Sequence, residues 1–305
     1  MLGGVVKSLA TSLGRLRLKS PVTVASGTFD PDYFELFDQD VLGAYTTKTI
    51  TLAPKAGNPP PRLYETEAGL LNSIGLQNPG LKAWLNEDLP SLMDLLRIPL
   101  IVSFSGSSED EFLRILEGLE VQDGIAGYEV NVSCPNVARE GIAFGADPDV
   151  VFSLASRLSA ITQRELIFKL SPNVTNIACI AQAAESGGAS SLALINTLYG
   201  SAIDWKTGRF RISSPVFGYS GIGIKPVALA LCHKVAQVVT IPILALGGIH
   251  SWRDALEFFW AGASAIALGT AFYSDPLAAV KLRDGLEKHL RENDLSLSDI
   301  IGKAL

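Results

Sequence analysis

Residues 241–270 read IPILALGGIHSWRDALEFFWAGASAIALGT and contain two apolar runs separated by an amphipathic one. The runs 241–246 and 264–268 are continuous and rich in Ile, Leu and Ala, whereas residues 252–262 show the spacing of a helix. Strands that lack polar alternation are buried on both faces, which is typical of parallel strands covered by helices. The stretch therefore predicts a strand–helix–strand unit with a glycine turn after each strand.

Six other short runs resemble these two strands, and segments with helical spacing separate most of them. They read VTVA (22–25), GAYTTK (43–48), LIVSF (100–104), YEVNV (128–132), LIFKL (166–170) and SLALI (191–195). Eight such units predict an α/β fold of the (β/α)8 TIM-barrel class, with residues 1–305 as a single domain. The competing fold, an open doubly wound sheet, requires a nucleotide-binding turn, and no G-x-G-x-x-G motif follows the first strand.

Three connections are expected to form active-site loops because they are longer than simple turns. They follow the second, fourth and sixth strands, and the two longest run from Thr49 to Gly80 and from Asn196 to Lys225. Long irregular segments within a compact barrel are usually binding loops or lids.

The composition narrows both the class of protein and its partners. Hydrophobic residues make up 48% of the chain and charged residues 18%, which is enough apolar material for a large core. A net charge of −6 and a pI near 5.2 disfavour nucleic acid, because binding to it requires a basic face. The scattered cysteines favour a reducing cytoplasm over a disulfide framework. The apolar run 258–273 is interrupted by glycines and is short for a membrane span, so no membrane anchor is expected.

Each predicted strand ends in a hydrogen-bonding residue or a glycine. Barrel enzymes carry their chemistry at the carboxyl ends of the strands, so these residues are expected to converge on one polar ligand site. In chain order they are Ser26 and Gly27, Lys48 and Thr49, Ser103, Asn131, Lys169, Asn196 and Thr197, Gly247 and Gly248, and Gly269 and Thr270.

Two features of these strand ends indicate the kind of ligand. Lys169 lies between apolar residues, where burial opposes its charge unless an anionic or polar partner compensates. The glycines after the seventh and eighth strands stand where barrels commonly bind phosphate through backbone N–H groups. A phosphorylated ligand is therefore expected.

Cys134 is the strongest candidate for a catalytic group. It precedes Pro135 in a polar loop that follows the fourth strand. The histidines His233, His250 and His289 show no metal-ligand spacing, so neither a zinc site nor a histidine-based triad is expected. Two interpretations of Cys134 remain open at this point, a proton donor or acceptor and a structural loop cysteine.

A series of motifs resembles the dihydroorotate dehydrogenase family, in order, from about Leu16 to Pro276. They are VASGTF, TTKTITLAPKAGNPPPRLYE, LLNSIGLQNPGL, EVNVSCPNV, FKLSPNVTNI, LALINT, SGIGIKPVAL, LALGGI and ALGTAFYSDP. LNSIGLQNPG and NVSCPN are the most specific of these motifs. GNPPPR and AFGADP look most like class 1B, the NAD-linked branch of the family.

The resemblance implies an FMN cofactor at the mouth of the barrel and a planar, anionic substrate beside it. The implied FMN contacts are Ser26, Lys48, Thr49, Ser103, Asn131, Lys169, Ile195, Gly221, Gly247, Gly248, Gly269 and Thr270. The implied substrate contacts are Lys48, Asn72, Ser73, Ile74, Gly75, Leu76, Asn131, Asn136, Asn196 and Thr197.

The same resemblance implies a reaction and its partners. Cys134 would be the general base that takes a proton from C5 of dihydroorotate, while hydride leaves C6 for flavin N5 and orotate forms. A partner subunit with FAD and an iron–sulfur cluster would pass the electrons to NAD⁺, and a homodimer within a heterotetramer would be the assembly.

Some residues depart from the family pattern and keep other functions open. Ser103 stands where asparagine is usual, SGIG replaces Ser-Gly-Pro-Ala, and Glu140 and Ile142 stand where Gly and Gln are common. The alternatives are a class 1A-like homodimer that uses fumarate, a related FMN barrel that acts on another pyrimidine, and an inactive flavin-binding protein.

Overall fold

The computed structural model describes residues 9–133, 137–139, 142–213 and 215–305. Its strands are β1 (Thr11–Leu13), β2 (Leu16–Leu18), β3 (Val22–Val24), β4 (Tyr45–Thr46), β5 (Leu63–Thr66), β6 (Gly69–Asn72), β7 (Leu100–Phe104), β8 (Ile125–Asn131), β9 (Val137–Arg139), β10 (Ile142–Ala143), β11 (Glu165–Lys169), β12 (Ser191–Leu194), β13 (Leu198–Gly200), β14 (Phe217–Ser220), β15 (Ile243–Leu246) and β16 (Ala265–Leu268).

The α-helices lie mainly between the strands of the barrel. They are α1 (Leu81–Ala83), α2 (Leu89–Leu95), α3 (Glu109–Glu120), α4 (Pro148–Ser159), α5 (Ile177–Ser186), α6 (Lys225–Ala236), α7 (Trp252–Trp260), α8 (Ala271–Ser274) and α9 (Ala278–Glu292). A π-helical segment, Trp84–Asp88, joins α1 to α2. Short 3₁₀ turns span Pro31–Glu35, Gln39–Val41, Phe144–Ala146, Ile222–Ile224 and Leu297–Asp299. No helix among the described residues is long and apolar enough to cross a membrane.

Eight parallel strands form the barrel, in the order β3, β16, β15, β12, β11, β8, β7 and β4. A hydrogen bond from the Gly43 N–H to the Val22 carbonyl oxygen, 2.7 Å long, links the chain before β4 to β3 and joins the two ends of the sheet. The predicted (β/α)8 class is therefore confirmed, and each of the eight predicted strand runs overlaps one strand of the barrel.

Side chains alternate between two separate apolar layers along these strands. Outward residues such as Val22 and Phe168 pack in the large core beneath the helices. Inward residues such as Ile167 and Leu244 form a smaller cluster inside the barrel, together with Leu13 of the β1–β2 hairpin. The hairpin thus closes the amino-terminal end of the barrel and leaves the opposite end available for a ligand.

Helix α7 illustrates how the sequence starts and orients the outer helices. The Ser251 hydroxyl oxygen accepts a hydrogen bond from the Asp254 N–H, and the Asp254 carboxylate accepts one from the Ser251 N–H, which forms a capping box. Ala255, Phe258 and Phe259 recur at helical spacing and are fully buried against the barrel.

The long loops after β4 and β12 meet and form one antiparallel sheet, in the order β13, β14, β6 and β5. Gly218 of β14 pairs with Asn72 of β6, although these residues are far apart in the sequence. The predicted loops after the second and sixth barrel strands therefore cooperate in one structure, which forms a wall over the carboxyl ends of the strands.

Candidate active site

A cavity of about 820 Å³ opens at the carboxyl ends of the barrel strands and extends beneath the four-stranded sheet. Most of the predicted site residues line it. They are Ser26, Lys48, Asn72, Ser73, Ile74, Gly75, Leu76, Asn131, Lys169, Ile195, Asn196, Thr197, Gly221, Gly247, Gly248, Gly269 and Thr270. Side chains from all parts of the chain thus converge on one face, as the strand-end pattern predicts.

Two of the predicted residues that the structure describes, Thr49 and Ser103, do not line the cavity. They are buried beneath its floor, with exposed fractions of 5% and 0%. Cys134 and Asn136 lie outside the described residues, and so does Glu140 of the same loop.

Lys169 has the anionic partner that its apolar flanks require. Its Nζ lies 3.3 Å from Oε1 of Glu129, and both residues are almost completely buried. The same Nζ donates a hydrogen bond of 2.9 Å to Oγ of Ser26. The Glu129 carboxylate thus supplies a counter-charge for the buried Lys169 side chain at the floor of the cavity.

A chain of hydrogen bonds continues from Glu129 under the floor of the cavity. Oγ of Ser103 donates to Oε1 of Glu129 over 2.8 Å, and it lies 2.9 Å from Oγ1 of Thr49. Nδ2 of Asn131 donates to Oγ1 of Thr49 over 3.3 Å, and Nδ2 of Asn196 donates to Oδ1 of Asn131 over 3.3 Å. Thr49 and Ser103 thus connect the buried carboxylate to two amides that face the cavity.

Sequence reasoning missed Glu129 as a member of this site. Glu129 precedes Asn131 by two residues on β8, so both side chains point to the inner face of the barrel. A carboxylate between apolar neighbours in a buried strand could have identified it, by the argument already applied to Lys169.

Other polar residues that the sequence reasoning did not select also line the cavity. They are Thr28, Lys55, Asn58, Ser133, Ser171, Asn173, Tyr199, Ser220 and Tyr273. Asn173 joins two loops, because Nδ2 donates to the Thr197 carbonyl oxygen and Oδ1 accepts from the Tyr199 N–H, each over 2.9 Å. Asn58 donates to the carbonyl oxygen and Oγ of Ser73, which fixes the wall on the side of Ile74 and Gly75.

The glycine turn after β15 has the geometry of an anion-binding backbone. Gly247 and Gly248 have φ angles of +124° and +76°, which glycine adopts without the steric cost that a side chain would add. A Cβ at Gly248 would lie 2.7 Å from the backbone nitrogen of Lys225, so there is no room for a side chain. No described residue accepts a hydrogen bond from the backbone N–H of Gly248 or Thr270, and both are free for a ligand.

The cavity is positively charged within an acidic protein. Lys48, Lys55 and Lys169 line it, and Glu129 compensates only Lys169. Desolvation by the surrounding protein, followed by the positive charges of Arg62 and Lys169, lowers the pKa of Lys48 below its ordinary value. An anionic ligand would relieve this repulsion. In the described residues, no group of three or more His, Cys, Asp or Glu side chains could hold a metal ion.

Comparisons with known proteins agree with the motif resemblance. The family model described as dihydroorotate dehydrogenase matches residues 8–290. Two relatives, from Thermoanaerobacter pseudethanolicus and Trichlorobacter lovleyi, are each 43% identical over 97% of this chain and 98% of their own. A third, from Enterococcus faecalis, is 43% identical over 93% of this chain and 92% of its own. All three carry the name dihydroorotate dehydrogenase B (NAD(+)), catalytic subunit.

Proposed function

Because the chain belongs to the dihydroorotate dehydrogenase family, we propose that it is the catalytic subunit of a class 1B, NAD-linked enzyme. The reaction is the oxidation of dihydroorotate to orotate in pyrimidine biosynthesis. The observation that carries the proposal is the convergence of Lys48, Asn131, Lys169 and Asn196 on one cavity at the carboxyl ends of the barrel strands.

The charges and amides of the cavity suit the substrate. Dihydroorotate carries a carboxylate and amide edges, and the amide side chains of Asn72, Asn131 and Asn196 line the cavity, where they can hydrogen-bond to those edges. The Lys48 ammonium supplies the opposite charge for the carboxylate. The residues Asn72–Leu76 run from the end of β6 along the edge of the cavity, where they would hold the substrate against these groups.

The cavity also fits FMN. It is large enough for a tricyclic cofactor beside a small substrate, and the Gly248 and Thr270 N–H groups are free for a phosphate. The residues that would hold the cofactor are Ser26, Lys48, Asn131, Lys169, Ile195, Gly221, Gly247, Gly248, Gly269 and Thr270. Thr49 and Ser103 would support Asn131 from beneath the floor of the cavity. Bound FMN supplies the two-electron acceptor that amino-acid side chains cannot provide.

The remaining chemistry belongs to the chain itself. Cys134 accepts the proton released from C5 of the substrate, as expected for a general base in the loop after β8. Lys169 keeps a positive charge at the floor of the cavity, where it stabilises negative charge that develops on a bound ligand. The wall formed by β5, β6, β13 and β14 limits the access of water to the reacting atoms.

The name shared by the relatives supports an NAD⁺-linked enzyme with a further subunit. We propose a partner subunit that carries FAD and an iron–sulfur cluster, and a homodimer of this chain within a heterotetramer. Residues 1–305 form one FMN-binding barrel domain in this proposal. The proposed location of the protein is the cytoplasm, because the exposed free thiol of Cys179 suits a reducing compartment.

The test is the visible spectrum of the purified chain, before and after anaerobic addition of dihydroorotate. Flavin absorbance that bleaches promptly supports the proposal, and flavin that stays oxidised contradicts dihydroorotate as the substrate. Reoxidation by fumarate without a partner would favour the class 1A alternative. Reoxidation by NAD⁺ only after addition of the electron-transfer subunit would favour class 1B.

The lowered pKa of Lys48 predicts that orotate binds more weakly as the pH rises. Lys48 is charged below its pKa, and that pKa lies below the ordinary 10.5, so the charge is lost at a lower pH than for a free lysine. The orotate dissociation constant is expected to rise through this pH range, by up to about tenfold for each pH unit above the pKa.

A flavin difference spectrum during orotate titration measures this dependence. Cys134→Ala is the appropriate background, because it removes the titration of a neighbouring thiol. The additional change Lys48→Arg keeps the charge at all these pH values and is expected to give a flat profile. A flat profile with Lys48 intact would contradict the assignment of Lys48 to the substrate carboxylate.

A further inference from the structure

Beneath the floor of the cavity lies a carboxylate with two different kinds of partner. Glu129 is 2% exposed and does not line the cavity. Its Oε1 both pairs with the Lys169 ammonium and accepts the hydrogen bond from Ser103. It therefore contacts Lys169, which lines the cavity, directly, and reaches Asn131 and Asn196 through Ser103 and Thr49.

The charge of Glu129 fixes the direction of the hydrogen bonds on the Ser103 side. An ionised carboxylate only accepts hydrogen bonds, so the single hydroxyl proton of Ser103 is committed to Glu129. Thr49 must then be the donor in its 2.9 Å contact with Ser103. Asn131 donates to Thr49, and Asn196 donates to Asn131, so every donor in this chain points toward Glu129.

This direction determines what the floor of the cavity can offer. Oδ1 of Asn131 accepts from Asn196 and from the Ser133 N–H, so both of its lone pairs are occupied, while one Nδ2 proton remains. Lys169 uses two of its three N–H protons, on Ser26 and Glu129, and no described residue accepts the third. The free groups of Asn131 and Lys169 are therefore donors.

We propose that Glu129 is a positioning residue that makes this part of the cavity select ligands presenting carbonyl or other acceptor atoms. It acts directly on Lys169, and it acts on Asn131 and Asn196 through Ser103 and Thr49. The inference rests on the proposed function for its probes, FMN and orotate, both of which carry carbonyl oxygens.

Glu129→Gln is the decisive variant, because glutamine has the same shape but no charge, and its amide nitrogen can donate in the opposite direction. FMN binding to the apoprotein, measured by quenching of flavin fluorescence, is expected to weaken about tenfold to 100-fold. Orotate binding to the FMN-loaded protein is expected to weaken by about tenfold. The absorbance maximum of the bound flavin should also shift, because the charge near it changes.

Ser103→Ala separates the effect that Glu129 has through Ser103 from the effect that it has through Lys169, since it leaves the pair with Lys169 intact. It is expected to weaken orotate binding by about threefold to tenfold and FMN binding by less. The double variant Glu129→Gln/Ser103→Ala should bind orotate no more weakly than Glu129→Gln does. Both changes break the same chain of hydrogen bonds from Glu129 to Asn131, so the second change removes nothing further. Additive losses would overturn the proposed path from Glu129 to Asn131.

Glu165→Gln is the matched control. Glu165 is also buried on the inner face of the barrel, but it lies at the closed end, where it accepts from Ser191 and from the Arg15 N–H. Glu165→Gln is expected to change the stability of the protein. The dissociation constants of FMN and orotate should stay within about twofold of those of the unmodified chain, because Glu165 shares no partners with the cavity residues.

The outcomes separate the inference from the function on which it rests. If the unmodified protein binds neither FMN nor orotate, the proposed function is contradicted. If the unmodified protein binds both, and Glu129→Gln binds them as tightly as Glu165→Gln does, the inference is overturned and the proposed function stands. If Glu129→Gln does not fold, Ser103→Ala decides the question, and an orotate affinity equal to that of the unmodified chain would overturn the role of Glu129.

Discussion

Replacement of Cys134 by alanine is expected to slow the reduction of bound flavin by dihydroorotate by about two to four orders of magnitude. A general base removes the C5 proton of the substrate while hydride leaves C6, and alanine has no group that can accept this proton. FMN and orotate should still bind, because the side chains assigned to them are unchanged. Anaerobic stopped-flow measurement of flavin bleaching gives the rate directly.

Cys179→Ser is the matched control for this experiment. Cys179 is an exposed free thiol on α5 and does not line the main cavity, so its loss should leave the rate within about twofold. Cys134→Ser distinguishes a base from a packing group. Serine keeps nearly the same size but is a far weaker acid than a thiol, so the rate should stay low. A normal rate in either Cys134 variant would contradict the proposed role.

The barrel and the location of the site were predictable because their signals are local. Continuous apolar strands such as 241–246 indicate burial on both faces, and the residue at each strand end then lies at the open face of the barrel. Lys169 was predictable for the same reason, since a charge among apolar neighbours requires a partner wherever that partner lies in the sequence.

The identity of that partner was not predictable in the same way. Glu129 meets Lys169 because β8 and β11 are adjacent and in a register that places Lys169 beside Asn131, and no local pattern specifies this register. The pairing of β6 with β14 likewise depends on two loops that meet only after the barrel closes. Ser103 shows the same limit: sequence similarity assigned it to the cofactor, and only the structure shows that its hydroxyl group hydrogen-bonds to Glu129 and Thr49 beneath the floor of the cavity.

Lys169→Met is expected to affect both FMN affinity and stability, for two separable reasons. Methionine keeps the apolar stem and removes the ammonium, so FMN binding should weaken by about tenfold to 100-fold through the lost charged hydrogen bond. The change also leaves the Glu129 carboxylate buried without its counter-charge. Loss of one partner of such a pair is expected to lower the free energy of unfolding of the apoprotein by about 3–5 kcal/mol.

Lys169→Met/Glu129→Gln distinguishes these two effects, because it removes both charges together. Its free energy of unfolding should return to within about 2 kcal/mol of the unmodified chain, since a buried ion pair adds little over neutral groups of the same size. FMN affinity should remain low, because the ammonium is still absent. Urea unfolding and fluorescence titration of the same preparations measure the two quantities.

Lys281→Met is the control for loss of a lysine charge at the surface. Lys281 pairs with Asp275 but is largely exposed, so its loss should cost no more than about 1 kcal/mol and leave FMN affinity unchanged. If Lys169→Met/Glu129→Gln were to recover FMN affinity along with stability, the weak binding of Lys169→Met would reflect the unpaired carboxylate. Lys169 would then be a structural partner of Glu129, and the positive charge at the floor of the cavity would have no part in holding the cofactor.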